Sequence, residues 1–172
     1  TVSWIIAKTH EVIGYQWDAE PMHIAYSPES GFAWVTSRDG LLTTIIRGDP
    51  AGSLPAPVKG LFDLALTPDG QGGYATSPET RSVAAWAHAG SNTLELKNAP
   101  YAIAHFGRCL GVVVPAEDAL YTLDLELRSV LRVHRVGKQG VDGGGQGLAY
   151  NARSDVAYIA NFAANSVTAV PN

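Results

Sequence analysis

Apolar positions in this chain come in short bursts, separated by punctuation rich in Gly, Pro, Asp and Ser. Phe32 to Thr36, Gly73 to Thr76, Gly111 to Val114 and Val156 to Ala160 are aromatic or β-branched runs of strand length. Leu41 to Ile46, Ser82 to Trp86, Leu120 to Asp124 and Ser166 to Val170 form a second such set. Glu11 to Trp17, Thr93 to Leu96 and Ser129 to Val136 form a third, blurred after the first burst by the Pro-rich stretch Gly48 to Pro57. Pro28-Glu29-Ser30-Gly31 and Pro68-Asp69-Gly70 read as turns, because Pro presets φ and Gly accepts positive φ. No segment carries a helical period or a capping pattern.

The bursts repeat. Ile24-Ala25-Tyr26-Ser27-Pro28, Leu64-Ala65-Leu66-Thr67-Pro68, Ile103-Ala104-His105-Phe106-Gly107 and Leu148-Ala149-Tyr150-Asn151-Ala152 begin alike, with their alanines 40, 39 and 45 residues apart. Nine residues after each alanine comes Trp34, Tyr74, Val113 or Tyr158, and nine further on Thr43, Val83, Thr122 or Val167. Four short antiparallel strands in each period of about 40 residues predict an all-β propeller of four-stranded blades. The units fall at 21–59, 60–99, 100–138 and 139–172, with 1–20 as the strand pair of a preceding blade. Both faces of a blade pack on neighbours, which accounts for middle strands that are apolar throughout rather than alternating. Glu11 to Trp17 is also positioned by repeat to complete the last unit, which has no outer strand of its own. Three assemblies fit this count: part of a longer propeller, a four-bladed ring, or half of an eight-bladed ring closed by a second copy. An open arc would leave two apolar faces bare.

Composition narrows the partners. Of 172 residues, 46% are hydrophobic and 16% charged, which fits a packed core and excludes a disordered chain. The 16 acids against 12 bases, with no Lys/Arg block, argue against nucleic acid. No apolar run nears the roughly 20 residues of a membrane helix, and no charged-then-apolar leader is present. A single cysteine, Cys109, makes neither an internal disulfide nor a cysteine metal cluster.

These units resemble the YVTN-type repeat, a relative of the NHL and lactonase-like propellers. The resemblance is carried by Pro21 with Ile24 to Pro28 and Trp34-Val35-Thr36-Ser37; by Leu64 to Gly70 with Tyr74-Ala75-Thr76-Ser77; and by Tyr158-Ile159-Ala160-Asn161 with Ser166-Val167-Thr168. Thr1 to Ile6 looks like the third strand of a preceding blade. The third unit departs most, with His105-Phe106-Gly107-Arg108 in place of the Ser-Pro-Asp-Gly turn and Pro115 where Thr36 sits. The resemblance implies a secreted, periplasmic or cell-surface setting. From the lactonase-like relatives it implies a channel metal held by Glu, Asn and Asp, residue types present here without a matching motif.

In such a fold, ligands meet the loops around the central channel. Candidates there are His23 and Asp63, which share one repeat position, and Asp39, Glu79, Asp118 and Asn161 in the loops between second and third strands. Asp18, Glu20, Asn98, Arg38, Arg81, Glu117 and Asn165 complete the rim. A His and an Asp together suit base-and-orienter chemistry, and the acidic ring suits calcium or another divalent metal. His105 reads as a satisfied channel-wall residue; His10, His88 and His134 read as solvated. The run Asp142-Gly143-Gly144-Gly145-Gln146-Gly147 reads as a long inter-blade loop on the ligand face, without the following helix of a phosphate loop. G-x-S-x-G and C-x-x-C-H are absent. The four tryptophans read as inter-blade packing. With no concentrated catalytic constellation, the leading expectation is a binding or protein-interaction propeller with a protein or small-molecule ligand. The alternative is a metal-dependent lactonase-like or lyase-like enzyme.

Overall fold

The computed structural model describes residues 2–6, 8–15, 20–46, 49–140 and 147–172. The Asp142–Gln146 part of the glycine run, Asp18 and Trp17 lie outside them, as does the side chain of Trp4. Among the described residues, β1 (Val2–Ile6) pairs with β2 (Glu11–Tyr15). A four-stranded sheet follows from β3 (Pro21–Tyr26), β4 (Phe32–Ser37), β5 (Leu41–Ile46) and β6 (Asp49–Pro55). The second consists of β7 (Leu64–Leu66), β8 (Gly72–Ser77), β9 (Ser82–Ala87) and β10 (Thr93–Glu95). The third consists of β11 (Ile103–Phe106), β12 (Cys109–Val114), β13 (Ala119–Leu123) and β14 (Val130–Arg135). The last has three strands, β15 (Leu148–Asn151), β16 (Val156–Asn161) and β17 (Ser166–Pro171). All pairings are antiparallel between sequence neighbours.

The core lies between sheets. Trp34 and Leu42 of the first meet Leu64, Ala75 and Trp86 of the second. Ala65, Tyr74, Val83 and Ala85 on the opposite face of the second meet Val112, Val114 and Tyr121 of the third. Phe106, Val113 and Leu120 then meet Ala157, Ile159 and Val170 of the last. Two-sided burial is why β8 and β13 are buried at every position. The described tryptophans Trp34 and Trp86 pack across one such junction with ring centroids 5.9 Å apart, and Trp34 Nε1 donates to the Gly70 carbonyl of the next sheet at 3.0 Å.

Two expectations change. The Pro-rich stretch is an outer strand, β6, where Pro50 and Pro55 fit because an edge strand has amides that need no ladder partner. Glu11–Tyr15 does not complete the last sheet. It pairs with its sequence neighbour β1, and among the described residues no strand pairs with the outer edge of β17.

Candidate functional site

One end of the sheets gathers the loops between second and third strands and the links into each next sheet. Backbone bonds tie them together: Arg38 N–H donates to Glu20 O at 3.0 Å, and Gly60 N–H to Arg38 O at 2.9 Å. Asp63 precedes β7 and is buried at 7% exposure. Its Oδ1 accepts from its neighbour Leu64 N–H at 2.8 Å, and its Oδ2 accepts from Ile103 N–H of the third sheet at 2.9 Å. The carboxylate also meets His23 Nδ1 of the first sheet. One acid thus links three inner strands. The hydrogen bond to Asp63 raises the His23 pKa above its ordinary value, against partial opposition from burial. Because Nδ1 is engaged, Nε2 is the nitrogen left for chemistry.

The threonines of the repeat build the floor beneath this pair. Thr36 Oγ1 accepts from His23 N–H at 3.1 Å and donates to Phe62 O in the next sheet at 2.9 Å. Thr76 repeats this, accepting from Asp63 N–H at 3.2 Å and donating to Tyr101 O. Each hydroxyl therefore fixes the residue that opens the following blade. Those residues, with Met22, occupy the repeat position three before the marker alanine. They line a cavity of about 360 Å³ together with Arg38, Leu61 and Glu79. Phe62 and Tyr101 stand edge to face at 5.4 Å. Arg38 is paired with Glu20 at 3.4 Å, whereas Glu79 has no ion pair among the described residues. Met22, Phe62 and Tyr101 are absent from the sequence candidates. Their recurrence one place before His23 and Asp63 was the signal that points to them.

The other candidates serve local structure in this geometry. Asp39 accepts from Ser37 Oγ and from Leu41 N–H, closing the β4–β5 turn. Asp118, at φ +49°, accepts from Gln139 N–H at 2.9 Å. Asn161 is buried. Its Nδ2 donates to Ser166 and Thr168, and its Oδ1 accepts from Gln139 Nε2 at 2.7 Å. Glu117 accepts from Asn98 Nδ2 and the Tyr121 hydroxyl, which hold its carboxyl below the usual range. Burial, then Glu117, pushes the Tyr121 hydroxyl up to about 12. Among the described residues no group of three or more His, Cys, Asp or Glu lies close enough to hold a metal ion.

His105 is satisfied, with Nε2 at 2.6 Å from Leu66 O and its ring edge-on to Tyr74. His88 is exposed beside Asp69, at 2.9 Å. His134 is half-buried rather than fully solvated: it packs on Phe106, and burial lowers its pKa.

No family model matches the sequence, and no curated protein matches it. Solved structures do match. A streptogramin B lyase structure superposes at TM-score 0.73 with 14% identity, covering 96% of this chain and 60% of that one. The structure of U3-55K superposes at 0.63 with 9% identity, covering 91% and 53%. The fold is a β-propeller. The chain spans less than two thirds of either propeller, and the likeness is one of fold alone. Its sheets are accordingly blades, β3, β7, β11 and β15 are their inner strands, and the His23–Asp63 end is a loop face. Among the described residues no helix is long and apolar enough to cross a membrane.

Proposed function

We propose that this propeller is a binding module whose loop face takes a small ligand with an apolar body and a cationic group. The observation that carries the reading is the cavity built by one repeat position from three successive blades, Met22, Phe62 and Tyr101, with Glu79 at its wall. Apolar and aromatic walls with few polar groups are what small-molecule sites require. The aromatic rings and the Glu79 carboxylate, which has no ion pair among the described residues, favour a cation, while Arg38 is countered by Glu20. Benzyltrimethylammonium is a suitable probe. It should raise the melting temperature and bind by calorimetry, and Glu79→Gln or Tyr101→Ala should weaken it at least tenfold. Equal binding by wild type and both variants sinks the reading.

A second reading, a lyase-like or lactonase-like enzyme, draws support from His23 alone: a raised histidine oriented by a buried carboxylate has the form of a general base. Lactone turnover abolished by His23→Ala without loss of fold would favour it. If calcium or zinc also raised the melting temperature, the metal-dependent form would gain. The YVTN resemblance, and the secreted or periplasmic setting it implies, belong to either reading.

A further inference from the structure

The outer edges of the three four-stranded blades are not alike. β6 carries Pro50 and Pro55, and β10 is only three residues long. Proline and shortness are two ordinary ways of keeping an edge strand from pairing with another chain. β14 has neither. It runs six residues, Val130–Arg135, without proline, and no described strand pairs with its outer side. Its backbone is open in the right places. Val136 N–H donates to Asp118 O at 2.9 Å, toward β13. Alternation along an antiparallel strand then turns the amides and carbonyls of Arg135 and Val133 outward.

Apolar side chains flank this edge. Val133 pairs with Tyr121 and Val130 with Leu123, so both stand on the face turned to the second blade. Residues 60–99 of that blade are all described, yet Val130 is 38% and Val133 49% exposed. Their exposure is therefore a property of a complete junction, beside the short β10. The edge itself does not depend on how the chain continues. Every described junction between full blades is face to face, so a further blade would cover a face and leave this edge open.

Charge decides what fits there. The chain carries a net charge of −4, yet the stretch from Arg128 to Lys138 holds four of its 12 bases and no acid. Arg132 and Arg135, within the strand, enter no ion pair among the described residues. Two copies meeting edge to edge would set these arginines against each other, and like charges on adjacent strands repel. We propose that the outer edge of β14 takes an extended peptide of alternating acidic and apolar residues from a partner protein, as a fifth strand of the third blade. The outward amides supply main-chain bonds. The acids lie on the Arg132 face, and the apolar residues cover Val133 and Val130. This edge shares no residue with the loop-face cavity and does not rest on its ligand.

Fluorescein-labelled Glu-Val-Glu-Val-Glu-Val, followed by anisotropy, tests this. It should bind saturably and slow amide exchange at Val133 and Arg135. Val133→Pro removes an outward N–H without touching a bond to β13, so it should weaken binding at least tenfold and leave the circular dichroism unchanged. Proline in place of the peptide's central valine makes the same cut from the partner's side and needs no protein variant. Arg132→Glu should also weaken binding at least tenfold, and benzyltrimethylammonium should not compete. No saturable binding at roughly millimolar peptide would overturn the proposal. So would equal affinity for the proline peptide, or for an oligothymidylate of the same charge, since either would leave charge alone as the attraction. Dimerisation of the chain that Val133→Pro abolishes would give the edge to a second copy and overturn it too.

Discussion

Asp63 has two duties that separate experimentally. As an acceptor it satisfies Leu64 and Ile103 N–H, and as a charge it raises the pKa of His23. A histidine whose folded pKa exceeds its unfolded value of about 6.5 contributes stability that is complete below that value. The contribution is lost as pH rises through the folded pKa. The urea midpoint of wild type should therefore fall on going upward through that window, and His23→Gln should flatten the fall. Asp63→Asn should return the His23 titration, followed by proton NMR, toward the ordinary value; an unmoved titration would mean that the carboxylate does not govern it. Asp63→Ala removes the acceptor as well and leaves buried amides unpaired, at a cost of about 1–3 kcal/mol each. At this scale the sequence was half legible. The shared repeat position set His23 and Asp63 at the same level of successive blades, and there the two side chains meet. It did not reveal that Asn161, Asp118 and Asp39 would be engaged in turns and links, because polar side chains at loop positions look the same whether they face a ligand or their own backbone.

Between elements, the threonine that ends the second strand of the first two full blades, Thr36 and Thr76, joins each blade to the next. Thr76 is fully buried and bonds to Asp63 N–H and Tyr101 O. Thr76→Val keeps the shape and removes both bonds, so it should lower stability by about 1–3 kcal/mol, with Thr76→Ser recovering most of it. Urea unfolding of the three proteins checks this; equal midpoints would remove the threonine from the argument. The third junction has Pro115 at the equivalent position and uses another device: Gln139, wholly buried, whose N–H donates to Asp118 and whose amide donates to Asn161. Crowding within the second blade also explains Gly73, where an added Cβ would run into Ala65 O of β7 and sit 2.8 Å from the Trp86 ring of β9. Gly73→Ala should cost about 1–3 kcal/mol by overpacking. Strand identity was readable in the inner strands because burial on two faces imposes apolar runs and the repeat fixes their spacing. β6 was obscured because prolines weaken the strand signal where, at an outer edge, they do not weaken the strand.

For the whole molecule, the gradient of burial along the arc sets a gradient of local stability. β12 and β13 are covered on both faces, while β1, β2 and β17 carry exposed Ile5, Val12 and Val167. Opening free energy follows the density of buried contacts, so amide exchange should be slowest in the third blade and fastest in the β1–β2 pair. Exchange followed by mass spectrometry reads this directly, and uniform protection across the described blades would break the link between burial and local opening. Sequence periodicity counts blades but does not say which of their faces are covered. Coverage is set in three dimensions: Val2 packs on Ala33, Val35 and Ile45, whereas Val167, at the equivalent repeat position, is exposed.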